Sequence, residues 1–247
     1  MEVFNNMFLA NLIIECIFAF LLSILIHESG HFLCALQYKW SFIYMIVGPV
    51  RVYRENRKLH ITLEKNPILW GGVTLSVPTT TDPKSFKEFS SILLMGPLSS
   101  LVAGVVLIPL FLLYHSYFFL LCSCISLSIG IICIIPLPLR TGIGYSDGYR
   151  FFRIRKKSLE YNDEYVLFQI SIIQFRNPQI SYEHLFHIAS SLRLSNDAIT
   201  LYYIHYILYQ VANEQNNSEG KQNELAIIKD LYPQIPKSIS NAFPISL

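Results

Sequence analysis

The stretch Leu21-Leu22-Ser23-Ile24-Leu25-Ile26-His27-Glu28-Ser29-Gly30-His31 joins an apolar run to a metal-binding motif. Residues 8–26 are long enough to span the hydrocarbon core, with Glu15 as their only charge, and His-Glu-x-x-His falls at their exit. Ionisable residues at bilayer depth are costly and mark function. On a helix, residues four apart share a face, so His27 and His31 can offer imidazole nitrogens to one metal. Glu28, beside them, is placed to act on water at that metal and not to bind it. The competing reading is a polar helix end at the membrane–water boundary. The first reading is a membrane-embedded metallohydrolase.

Composition agrees with a membrane protein. Of 247 residues, 52% are hydrophobic and 15% charged, too apolar for a typical soluble chain. A net charge of +2 without a long basic stripe excludes a nucleic-acid partner. Cys16, Cys34, Cys122, Cys124 and Cys133 all lie in apolar segments and read as small buried hydrophobes. Cys122 and Cys124 stand too close in sequence for a shared zinc site, and no disulfide framework is expected. Residues 1–7 contain no Lys or Arg, so the first span is expected to be permanent and not a cleaved signal peptide.

Three spans are expected, at about residues 7–38, 89–114 and 117–139, within a core of residues 1–157. Lys and Arg cluster at residues 39–87 and 150–157, and the positive-inside rule places both regions in the cytoplasm with the N-terminus outside. The plasma membrane is the expected location. His115, between the last two spans, reads as a solvated turn residue. Residues 41–78 read as strands: Leu59, Ile61 and Leu63 alternate with polar residues, and Val73, Leu75 and Val77 repeat the period of two. His60 then falls on the polar, exposed face. Asn66-Pro67 and Gly71-Gly72 supply turn or bulge chemistry. An edge of such a sheet can pair with an extended peptide, or the sheet can serve only as a cap over the helices.

Residues 158–247 read as a helical cytoplasmic domain. Helices are expected near residues 165–173, 185–192, 198–211 and 225–231, with Ser195-Asn196-Asp197 as an N-cap and residues 213–223 as a loop. His184 and His187 read as helix-surface residues. The fold class is a mainly α membrane protein: a three-helix transmembrane core, a small β region and a C-terminal helical domain.

Two histidines leave a catalytic zinc site one protein ligand short. Asp147 is the best candidate, since it follows the third span, which returns to the side where His27 and His31 lie. Gly148 permits close backbone approach beside it. Ser146 or Asp147 can equally be a helix N-cap, and both roles are compatible.

With these elements in order, the chain resembles the site-2 protease family, the intramembrane zinc metalloproteases of peptidase family M50. His27-Glu28-Ser29-Gly30-His31 matches the zinc-binding helix motif. Gly96-Pro97-Leu98-Ser99-Ser100 resembles the Gly-Pro motif of the second core helix, and Pro136 followed by Ser146-Asp147-Gly148 resembles the stretch carrying the third ligand. The resemblance covers about residues 7–157. It implies one zinc ion on His27, His31 and Asp147, Glu28 as catalytic acid/base, and cleavage of membrane-embedded peptide or protein substrates. It also implies that Gly71, Gly72 and the run from Val73 to Val77 form a substrate-holding strand region, and Ser100 is a further candidate substrate contact. Two positions depart from the pattern: Ser100 and Cys133 stand where Asn is common, which bears on oxyanion stabilisation and substrate ordering. Alternative readings are a maturation protease for a small secreted or modified peptide, and an inactive membrane scaffold of the same fold.

Overall fold

The computed structural model describes residues 2–138, 140–141, 144–156 and 158–242. Its elements run α1 (Glu2–Gln37), β1 (Ser41–Val47), β2 (Val50–Glu55), β3 (Lys58–Leu63), β4 (Val73–Val77), α2 (Pro83–Tyr114) and α3 (Tyr117–Ile134). Two short strands follow, β5 (Arg140–Thr141) and β6 (Gly144–Tyr145). Helices α4 (Asp147–Arg155), α5 (Leu159–Arg176), α6 (Tyr182–Ser190), α7 (Ala198–Glu214), α8 (Ser218–Leu231) and α9 (Lys237–Ala242) follow among the described residues. The chain divides into two compact units.

The first unit holds Met1–Val77, Ser91–Thr141 and Tyr145–Tyr149. Among the described residues, three helices are long and apolar enough to cross a membrane: Leu9–Gln37, Pro83–Tyr114 and Tyr117–Ile134. The second begins earlier than hydropathy implies. Pro83 suits a first helical position, and Asp82 Oδ1 accepts from the Ser85 backbone N–H at 2.7 Å. The third ends earlier than expected, at Ile134, because Pro136 forces its predecessor out of the helical region; Ile135 is extended at φ −62°, ψ 131°.

Side chains such as Ile13, Phe18, Val105, Leu112 and Ile131 stand exposed on these helices, as a lipid-facing surface requires. The interior carries small polar groups instead. Ser126 Oγ donates to Ser23 Oγ at 2.9 Å, Ser23 donates to the Ala19 carbonyl at 2.8 Å, and Ser123 donates to the Gly104 carbonyl at 2.7 Å. Hydroxyls without water must find such partners.

The antiparallel sheet has the order β3-β2-β1-β4, so β3 and β4 are its edges. Helix α1 packs against β1 and β4. Asn66 caps a 3-10 turn over Pro67–Gly71, accepting from the Ile68 N–H at 3.1 Å, and this turn delivers the chain into β4. In β3 the expected orientation is reversed. Leu59, Ile61 and Leu63 are 68%, 74% and 75% exposed, whereas His60 is half-buried and stacks on Tyr53 at 5.3 Å. The cross-strand ring pair occupies the covered face, which leaves the aliphatic row outside.

The second unit comprises Pro78–Ser90, Gly142–Gly144 and Arg150–Leu247. Val166, Ile170, Leu185, Ile204, Leu208 and Val211 form its core. Asp197 is the N-cap of α7, accepting from the Ile199 N–H at 3.3 Å. The polar tract at 213–223 is mostly helical, contrary to the expected loop. Asn217 caps α8 by accepting from the Gly220 N–H at 2.9 Å, so α8 starts seven residues before its first apolar run implies. His184 and His187 are exposed, whereas His205 Nδ1 lies 2.6 Å from buried Glu224, which also accepts from the Tyr182 hydroxyl at 2.8 Å.

Arg153 is 4% exposed and bonds Asp163 at 3.0 Å and Asp197 at 2.7 Å. Burial opposes its charge, and Glu164, Asp197 and Asp163 outweigh that and hold it protonated. Removing one partner of a buried pair leaves an uncompensated charge. Arg153→Ala is therefore expected to destabilise the unit by about 3–5 kcal/mol, read as a fall in the melting temperature of the purified chain. An unchanged melting temperature would show that the cluster is not structural.

Candidate metal centre

His27 and His31 lie one turn apart on α1, with their rings 5.0 Å apart. Asp147 opens α4. His27 Nε2 is 3.1 Å and His31 Nε2 is 3.4 Å from Asp147 Oδ2. The three ligand atoms all lie within 4.8 Å of one another. Both histidines are buried, at 6% and 8% exposure.

The outer ring nitrogens show which atoms are available. His31 Nδ1 lies 2.8 Å from the Ile92 carbonyl, an acceptor only, so Nδ1 donates there and Nε2 is the ring nitrogen presented to Asp147 and to a metal. His27 Nδ1 lies 3.0 Å from Ser100 Oγ. Asp147, outside the spans, is held below the ordinary carboxylate range: burial opposes ionisation, but His31 and His27 outweigh it. Two imidazole Nε2 atoms and one ionised carboxylate form a donor set that suits zinc, with a fourth position left for water or substrate.

Helix α2 comes close because of Gly96. A Cβ there would overlap His31 Nε2 and stand 2.9 Å from His27 Nε2, so any side chain would fill the space between the imidazoles. Ser99 Oγ donates to the Ile26 carbonyl at 3.0 Å and ties α2 to α1 just before the motif. At Gly148 a Cβ would strike the backbone of Ile134 and stand 2.7 Å from the Cys133 carbonyl, which lets the start of α4 sit against the end of α3. Ser146 Oγ is buried with no described hydrogen-bond partner, and α4 has no side-chain cap from it.

Glu28 is 4% exposed. Gly72, at φ +103°, passes directly against its carboxylate; that φ and the overlap a Cβ would make with Glu28 and Ile24 both require glycine. Thr74 Oγ1 donates to the Glu28 carbonyl oxygen at 3.4 Å, so the start of edge strand β4 is held beside the catalytic candidate. Val73 opens that strand, whereas Gly71 has no atom near its Cβ position.

Ser100, read from sequence as a substrate contact, is fully buried and faces the back of His27. The Ile92 carbonyl, Thr74 and the steric role of Gly96 were not read from sequence; Gly96-Pro97 was the one signal pointing to α2. Ligand-orienting bonds of this kind are worth 10–100-fold in metal affinity, so Ser100→Ala is expected to weaken metal binding about tenfold. Chelator competition measures it, and unchanged affinity would reject the role.

A family model described as Peptidase family M50 matches residues 15–241. No curated protein and no solved structure matches the chain.

Proposed function

The chain belongs to peptidase family M50, and on that premise we propose that it is an intramembrane zinc endopeptidase acting on membrane-embedded or signal-peptide-like segments. The observation that carries this reading is the convergence of His27 Nε2, His31 Nε2 and Asp147 Oδ2 beside buried Glu28, within the second half of a helix long and apolar enough to cross a membrane. One zinc ion held by these three residues would supply Lewis acidity toward a peptide carbonyl and toward water.

Glu28 takes a proton from the attacking water and passes it to the departing nitrogen. Its burial against Gly72 keeps the carboxylate in one place, which shortens the search for that geometry. Ser100 and the Ile92 carbonyl hold the two imidazoles in register. The open edge of β4 offers main-chain hydrogen bonds to an extended peptide next to Glu28, with Gly72 and Val73 at its entrance. Loop charge supports an orientation with the N-terminus outside and this site opening to cytoplasmic water. Residues 158–247 then serve substrate docking or regulation; a truncation after Lys157 that cleaves and selects normally would remove that role.

Helical substrates must unwind locally, since intrahelical hydrogen bonds occupy their backbone groups and hydrocarbon offers no substitutes. Spans carrying Gly or Pro near the scissile bond are expected to be cleaved faster than an unbroken poly-Leu span. Equal cleavage of the two would count against strand-type binding. The deciding experiment is metal analysis with peptide cleavage by the wild type and Glu28→Gln. Zinc in both with equal activity would sink the enzyme reading.

A further inference from the structure

Within the second unit, a cleft of about 850 Å³ opens between the start of α2, the end of α4 and the start of α5. Pro83 and Leu159 give it an apolar wall backed by buried Phe86 and Ile154, and Lys87, Arg155 and Ser158 stand among its lining residues. Among the described residues, no Asp or Glu lines it. Lys87 and Arg155 are both exposed, and neither pairs with a carboxylate among the described residues. Arg155 lies over the Phe151 ring at 5.2 Å, which leaves its guanidinium edges open to an anion.

The wall is rigid. Phe86 is 1% exposed and its ring lies 4.9–5.3 Å from those of Tyr165, Tyr161 and Phe168 on α5. Arg150, earlier on α4, is already committed: it bonds Glu164 at 2.8 Å and covers the Phe89 ring. Lys87 also has a defined depth. It precedes the apolar run that starts at Phe89 on the same helix, the place in a span where Lys side chains meet headgroups.

We propose that this cleft binds one anionic phospholipid, with the headgroup phosphate on Lys87 and Arg155 and the glycerol and upper acyl chain along Pro83 and Leu159, over the buried backing of Phe86 and Ile154. Two uncompensated cations above an apolar wall match an anion attached to a hydrocarbon. A free phosphate would occupy a few water volumes of about 30 Å³ and leave most of the space and all of the apolar wall unused. Basic pockets beside spans are where anionic headgroups are held.

The full chain, purified in neutral detergent, is titrated with phosphatidylglycerol and with phosphatidylcholine of the same acyl chains and read by native mass spectrometry. One phosphatidylglycerol is expected to bind in preference to phosphatidylcholine. Lys87→Gln and Arg155→Gln should each weaken it about fivefold and the pair about 25-fold, while Lys221→Gln on α8 leaves it unchanged. Lys87 and Arg155 are exposed and Lys221 is half-buried, and a melting temperature equal to wild type confirms that the variants fold. Equal binding of the two lipids, or full binding by the double variant, overturns the proposal. So does displacement of the lipid by inorganic phosphate alone or by an acidic peptide, which would make the cleft a phosphate site or a protein-docking site.

Discussion

Glu28→Gln is expected to reduce peptide cleavage by about 10²–10⁴-fold, the range for removing a positioned general acid–base group, while zinc content stays at the wild-type level. The two readouts separate because Glu28 is not one of the three converging ligand atoms. Gln keeps the shape and the contact with Gly72 but cannot accept the proton from water. Substrate binding should also survive, so the variant is expected to retain a bound substrate that the wild type releases as products. Loss of zinc together with activity would mean that Glu28 helps hold the metal. Retention of full activity would place the base elsewhere.

The second large effect belongs to Asp147. Asp147→Ala removes the one carboxylate among the three ligand atoms and leaves two imidazoles. Metal affinity is expected to fall by more than about 100-fold, beyond the range for loss of an orienting contact such as that of Ser100. Zinc per chain after dialysis against a chelator gives the result directly. Asp147→Asn is the stricter comparison, because it keeps the volume at the start of α4 and removes only the charge. Unchanged zinc content in either variant would reject the assignment. If Ala but not Asn loses zinc, space and not charge is what the site needs from residue 147.

Much of the core was legible because its signals are local. The motif on α1 places two imidazoles by helical period alone, and apolar length marks the spans. Even the ends of α2 and α3 follow a local rule once proline is weighed above hydropathy: Pro83 starts one and Pro136 stops the other. The 213–223 tract misled because its polarity resembles a loop, whereas a polar helix face with an Asn217 cap has the same composition. In β3 the alternation was read correctly but its direction was not, since two faces of a strand differ only in what covers them.

By itself, the sequence determined the three spans, the pair of histidines with Glu28 between them, and the Asp-Gly element at the right place in the order of the chain. Those depend on periods, lengths and chain order, which are properties of neighbouring residues. Only the tertiary structure decided that Asp147 reaches both Nε2 atoms and that Gly96 leaves room between the imidazoles. It also turned Ser100 toward His27 and brought Gly72 against Glu28. Each of these joins residues tens of positions apart, and no local pattern encodes which face of one helix will meet which carbonyl of another.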